Sequence, residues 1–252
     1  MMKLEFSTPI KNEKMKEKIE IAYDFYKGLL TYYSSSHPDK FRFENRIDQA
    51  KSILDAFNDN FNFEKIICIE TGCSQDWDDG IFGLFFGRFT KESGGSFYSV
   101  DIVESYNQKS QEIFTKFIPD LDFHSQTMDS VEFLKNIEII PNLVHLDSVD
   151  LDMSDPFPSA LHGWEEFISI KDKMPSGSII VIDDNYMQGT WIDWRITRGD
   201  GSQELKRYTV EYPIVGKGAH IYHWCKREDT EWNIIGDHYV AGPNIKVIIQ
   251  KK

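Results

Sequence analysis

Acidic residues stand at or just past the ends of five short apolar runs. The run Ile66–Glu70 ends on a glutamate and passes into Thr71-Gly72-Cys73-Ser74. Phe97–Ile102 carries Asp101 near its end, and a weaker run, Phe123–Gln126, leads to Met128-Asp129-Ser130. Leu143–Leu146 runs into Asp147-Ser148-Val149-Asp150, and Ser178–Ile182 into Asp183-Asp184-Asn185. If these runs are neighbouring parallel strands, their carboxylates meet on one rim. Carboxylates that close repel one another unless a ligand or a cation offsets their charge.

Each position suggests a chemistry of its own. Gly72 lets the backbone turn tightly and approach a ligand. The full G-x-G-x-x-G run is missing, and Glu70 lies beside the glycine, which disfavours a pyrophosphate and suits a cationic ligand. Asp101 ends the second strand, where a carboxylate can accept both hydroxyls of a ribose; a turn aspartate is the plainer alternative. Asp129 fits the N-cap of a helix over Ser130–Ile137, and the same loop can hold Met128 against an adenine.

The elements that would position these groups follow from periodicity. Helical stretches at Ile81–Phe89, Asn107–Ile118, Ser130–Ile137 and Ser159–Lys171 separate the apolar runs. Continuous apolar strands alternating with helices predict an α/β fold whose parallel sheet is covered on both faces. Right-handed crossovers favour a doubly wound order. Ahead of this lie two helical faces, Met15, Ile19, Ala22, Tyr26, Leu29 and Tyr33, then Phe43, Ile47, Ala50, Leu54 and Phe57. Residues 34–39 break them. We expect an N-terminal helical cap over residues 1–62, serving as core cover or as a lid, and the main domain over 63–252. Past Asp184, the sequence predicts a loop over Tyr186–Gly201, a short helix over Gln203–Tyr212, and strands at His220–Cys225 and Ile245–Gln250 paired at the sheet edge. Trp191 and Trp194 would either wall an acceptor pocket, with Arg195 and Arg198 beside them, or pack the loop against the N-terminal helices.

Composition narrows the function classes. A net charge of −13 over 252 residues repels phosphate backbones, so nucleic acid is not an expected partner. Three cysteines, Cys68, Cys73 and Cys225, suit neither a disulfide framework nor a zinc site. No run is long and apolar enough for a membrane span, and no signal core stands at the start. The expectation is a reduced, cytoplasmic protein acting on a small molecule, with the helical N-terminus available for a homodimer.

Residues 64–186 resemble the class I S-adenosylmethionine-dependent methyltransferases. The more specific part is Val144-His145-Leu146-Asp147-Ser148-Val149-Asp150-Leu151, followed by a helix and then Met174-Pro175-Ser176-Gly177-Ser178-Ile179-Ile180-Val181-Ile182-Asp183-Asp184-Asn185. It is similar to the metal-dependent O-methyltransferases of the macrocin and sugar type, in which an Asp ends strand four and an Asp-Asp pair ends strand five. The resemblance implies a Rossmann-like doubly wound sheet of seven strands with the last antiparallel. It implies S-adenosylmethionine as cofactor, held by Glu70, Thr71, Gly72, Ser74, Asp101, Met128, Asp129, Ser130 and Asp147. It implies a divalent metal, Mg²⁺, on Asp147, Asp183 and Asp184, although Asp184 with Asn185 is an alternative register. Three hard oxygen ligands agree with Mg²⁺ or Ca²⁺ rather than zinc. Asp147 or Asp150 would serve as base. His145, on the same strand as Asp147, reads better as a hydrogen-bonded core histidine, and His162, His220 and His223 are further candidates. The alternatives are a non-catalytic binding protein on the same fold and a nicotinamide-dependent oxidoreductase, the latter disfavoured by the missing glycine run.

Overall fold

The computed structural model describes residues 13–36, 40–61, 63–73, 81–197, 201–236 and 244–252. Two helices come first, α1 (Glu13–Ser36) and α2 (Lys40–Asn60). Strands and helices then alternate as β1 (Ile67–Thr71), α3 (Ile81–Glu92), β2 (Ser96–Asp101), α4 (Glu104–Phe117), β3 (Asp122–Thr127), α5 (Ser130–Asn136), β4 (Leu143–Leu146), α6 (Phe157–Ile170) and β5 (Ile179–Met187). The remainder is β6 (Trp191–Thr197), β7 (Gln203–Thr209), β8 (Ile214–Gly216), α7 (Ala219–Cys225), β9 (Trp232–Gly236) and β10 (Ile245–Lys251).

The main sheet runs β3-β2-β1-β4-β5-β10-β9, with β8 added against the end of β5. Strands β1 to β5 pair in parallel, while β10 is antiparallel to both β5 and β9. This is the expected Rossmann-like order with an antiparallel final strand. Successive strand residues face opposite layers, and β5 shows why its run Ile179–Ile182 is apolar throughout. Ile179 and Val181 enter one core with Cys68, Phe97 and Leu143, whereas Ile180 and Ile182 enter the other with Ile69, Val144 and Leu146. A strand buried on both faces cannot show polar alternation.

The first core is closed by α1, α2, α3 and α4. Met15, Ile19, Ala22 and Tyr26 of α1, and Ala50, Ile53, Leu54 and Phe57 of α2, are buried in the same cluster as Phe85, Phe86 and Phe89 of α3. The N-terminal helices are therefore part of one face of the sandwich. Helices α5, α6 and α7 close the other face through Phe133, Phe167, Ile170, Ile221 and Tyr222.

Three expectations after Asp184 are corrected. Gln203–Thr209 is a strand, although Glu204, Leu205, Lys206 and Arg207 favour helix; it pairs along its whole length with β6, and that ladder overrides a weak local preference. Of the loop expected over Tyr186–Gly201, residues 186–197 are described and are not a loop, because β5 continues to Met187 and β6 follows after a turn. His220–Cys225 lies in a helix, α7. Its aromatic and β-branched residues imitate a strand, but Ile221, Tyr222 and Cys225 are buried at helical spacing. The edge strand beside β10 is β9, which lies between the two runs expected to pair. The sheet gains an eighth short strand, β8, beyond the seven expected.

Among the described residues, no helix is long and apolar enough to cross a membrane. Phe57 of α2 is fully buried and stacks on Phe61 at 5.5 Å and Phe89 at 5.6 Å. Phe57→Ala is expected to lower the unfolding free energy by about 3–5 kcal/mol, read from urea denaturation. A negligible loss would mean that α2 is not part of the cooperative core.

Candidate active site

A cavity of about 660 Å³ opens at the carboxyl ends of the parallel strands. It lies where the sheet order leaves β1 for β2 on one side and β4 on the other, the crevice in which doubly wound sheets take their ligands. One wall is made by the segments after β1, β2, β3 and β4. It comprises Gly72 and Cys73, Val100–Val103 with Tyr106, Asp129 and Ser130, and Asp147–Asp150 with His162 of α6 behind them. The other wall is Arg46 and Gln49 of α2, Phe82 of α3, Asp183, Asp184 and Tyr186 of β5, and Asn244 and Lys246 at β10.

The first wall is set by backbone constraints. Gly72 has φ +76°, and a Cβ there would stand 2.2 Å from the Asp147 carbonyl oxygen, so only glycine lets the β1 and β4 termini meet. The Asp101 carboxylate accepts from the backbone N–H of Cys73 at 3.1 Å and of Val103 at 2.8 Å, which fixes its direction. Asp129 caps α5, accepting from the Glu132 N–H at 2.9 Å as expected. Ser130 Oγ lies 3.0 Å from His162 Nε2.

The strand-end acids lie where the two walls meet, Asp147 on the first and Asp183 and Asp184 on the second, and each is engaged. Lys217 Nζ donates to Asp147 Oδ1 at 2.6 Å and pairs with Asp184 Oδ2 at 3.1 Å. Asp184 also accepts from Asn244 Nδ2 at 2.9 Å. Lys246 pairs with Asp183 and lies over the Phe82 ring at 4.1 Å. His145 is fully buried, with Nδ1 3.2 Å from Glu70 Oε1 and Nε2 3.8 Å from Asp183 Oδ2.

The titrations follow from burial and these partners. Burial alone would lower the Lys217 pKa, but Asp147 and Asp184 outweigh it and raise it, so the ammonium persists. Burial would raise Asp183, but Lys246 and His145 hold it well below the usual carboxylate range. Burial raises Asp147 to about 7, Lys217 opposing this and the negative charge of Asp183 adding to it. Burial also raises Glu70, against the pull of His145. For His145, burial works downward, yet the carboxylates of Asp183 and Glu70 lift it to about 9.

The expected residues divide accordingly. Gly72, Asp101, Asp129, Ser130, Asp147, Asp150, Asp183 and Asp184 all line the cavity. Glu70 and Thr71 do not: both are buried within the sheet, and Glu70 faces His145 rather than the rim. Met128 packs against the second core instead of the cavity. Ser74, Arg198 and the side chain of Arg195 lie outside the described residues. His145 is the core histidine expected. Trp191 and Trp194 line no part of the cavity. Trp191 is 59% exposed beneath the Arg207 guanidinium, and Trp194 packs on a small third core with Tyr186 and Ile192. The β6–β7 pairing draws these tryptophans onto their own ribbon. Arg46, Gln49, Lys217 and Lys246 were missed. Two of them left a trace in the sequence: Lys217 sits between Gly216 and Gly218, and Lys246 interrupts an apolar strand.

The expected Mg²⁺ set does not fit this arrangement. The atoms that approach one another are those of His145, Asp147 and Asp183, within 4.8 Å, and Asp184 is not among them. A Mg²⁺ at ~2.1 Å from the Asp147 oxygen that Lys217 holds would lie within about 4.7 Å of its ammonium. That repulsion is about 7 kcal/mol at an effective dielectric of ~20. A dication at that oxygen would share it with the ammonium of a lysine that is only 2% exposed.

No protein-family model matches the sequence, and no curated protein does. Among solved structures, the SAH-bound methyltransferase PaMTH1 of Podospora anserina is 15% identical over 71% of this chain and 73% of its own, at a TM-score of 0.44. An S-adenosylmethionine-dependent methyltransferase of Clostridium acetobutylicum is 10% identical over 81% and 91%, at 0.46. An rRNA methylase of Streptococcus thermophilus is 10% identical over 78% and 92%, also at 0.46.

His145 supplies a pH test of this geometry. Its pKa rises from an ordinary 6.5 to about 9 on folding. A raised pKa stabilises the fold in full below the unfolded value, and that contribution is lost as pH rises through the folded one. The melting-temperature gap between wild type and His145→Gln should be widest at pH 6 and narrow as pH rises through 9. A gap that widens with pH would contradict the contacts with Glu70 and Asp183.

Proposed function

We propose that the chain is an S-adenosylmethionine-dependent methyltransferase that methylates an oxygen of a small polar acceptor. One observation carries this reading. The wall after β1 to β4 presents Asp101, Asp129, Asp147 and Asp150 to the cavity and, among its described residues, no lysine or arginine. Such a surface repels a pyrophosphate and attracts a nucleoside bearing ammonium and sulfonium charges. Its volume falls in the range of small-molecule sites, about 300–1,000 Å³.

Asp101, whose direction two backbone amides fix, would accept the ribose hydroxyls. Ile102, Val103 and Tyr106 offer the neighbouring surface to a nucleoside base. Asp129 and Ser130 border the same region, and Asp147 closes it toward β5. When bound, the cofactor supplies an electrophilic methyl group. Asp147, with a pKa near 7, is suited to take the proton of an acceptor hydroxyl at its carboxylate; Asp150, exposed on the same rim, is a second acceptor of protons. The acceptor would occupy the polar wall of Arg46, Gln49, Tyr186 and Asn244, where positioning supplies most of the rate. A strongly negative chain favours a small acceptor over nucleic acid. No step in this reading requires a metal.

Isothermal titration with S-adenosylhomocysteine tests the proposal. Binding is expected, and Asp101→Asn should weaken it at least ~10-fold, about 1.4 kcal/mol. Absence of binding by the folded wild-type chain would sink the reading.

A further inference from the structure

We infer that Lys217 and Lys246 are the resident cations of the strand-end acids, standing where a divalent metal would otherwise balance them, so that the site works without one. The identity of the reaction rests on the function proposed above; the occupancy of the carboxylates does not.

The pairing nearly balances charge within the site. Asp147, Asp183 and Asp184 carry three formal negative charges, and two ammonium groups meet all three carboxylates, offsetting two of the three. Lys217 bridges Asp147 at the end of β4 and Asp184 in β5, tying together the two strands that would share a metal. It stands behind the cavity wall, so it acts through the carboxylates as a positioning residue. Lys246 lines the cavity itself and can present an N–H to an acceptor oxygen while it holds Asp183.

The backbone around Lys217 is shaped to deliver it. Gly216 has φ +129°, and a Cβ there would stand 2.0 Å from the Asp184 carbonyl oxygen. A Cβ on Gly163 of α6 would stand 2.5 Å from the Lys217 carbonyl oxygen. Gly218 donates its N–H to Asn185 Oδ1 at 2.7 Å, locking the segment onto the residue after the acids. Asp184 itself takes a left-handed φ of 52°, uncommon for a non-glycine residue. A lysine held by two close backbone approaches and one hydrogen bond to a buried side chain is fixed behind the wall.

The test is cation binding by the full chain. Protein stripped with EDTA is titrated with Mn²⁺, and bound ion is counted by electron paramagnetic resonance. Wild type is expected to hold no stoichiometric Mn²⁺ below millimolar concentration. Lys217→Met removes the ammonium and should bind about one equivalent at least ten-fold more tightly, whereas Lys217→Arg, which keeps the charge, should behave as wild type. If Lys217→Met fails to fold by circular dichroism, Lys246→Met opens the same cluster at Asp183 and takes its place. Micromolar stoichiometric binding by wild type would overturn the inference, as would a folded lysine-to-methionine variant no different from wild type. Titration of S-adenosylhomocysteine with EDTA and then with Mg²⁺ separates the two readings. Equal affinity in both supports the inference, and a ten-fold gain with Mg²⁺ counts against it. No binding in either defeats the proposed function, while the Mn²⁺ result still decides the role of the lysines.

Discussion

Parallel strands that end on carboxylates create an electrostatic debt at the rim of the sheet, and the structure is arranged around settling it. The acids of β4 and β5 lie too close together to be left alone in a half-buried wall. Lys217 and Lys246 reach them from two segments far along the chain, after β8 and at the start of β10. The antiparallel final strand is thereby more than an edge filler, since it carries one of the two cations into the cavity. The segment after β8 brings the other, and it is held against β5 by the short β5–β8 ladder.

A division of labour between the two walls follows. On the β1–β4 side Asp101 and Asp129 are steered by backbone amides rather than by cations, and only Asp147, at the end of β4, meets an ammonium, that of Lys217. On the β5–β10 side they are matched by ammonium groups and overlooked by Arg46 and Gln49 of α2. The same pocket therefore has a negative half and a nearly balanced half. A positively charged ligand is drawn to the first, and a hydroxyl-bearing molecule can lie against the second with little penalty for burying charge.

Much of this was legible in the residues. The alternation of apolar runs and helical stretches from Ile66 to Ile182 set the parallel sheet, because strands buried on both faces must be apolar throughout. The positions of Asp101, Asp129, Asp147 and Asp183 relative to those runs placed them on one rim. What could not be read was long-range. Glu70 looked like a rim residue but turns toward His145, a partner chosen by cross-strand register between β1 and β4. The ribbon β6–β7 hid behind helix-favouring residues, since its stability comes from pairing with a neighbour and not from local preference. Lys217 looked like a loop lysine, and only the folded chain shows it beside Asp147, 70 positions away.

The contact between Gly163 and Lys217 reaches further than packing. Helix α6 can carry no side chain at that point while the lysine backbone passes against it. A larger residue in the helix would push that backbone away and leave Asp147 and Asp184 without the ammonium that now joins them. A helix position on the far side of the segment thus governs the charge of the pocket without touching any ligand.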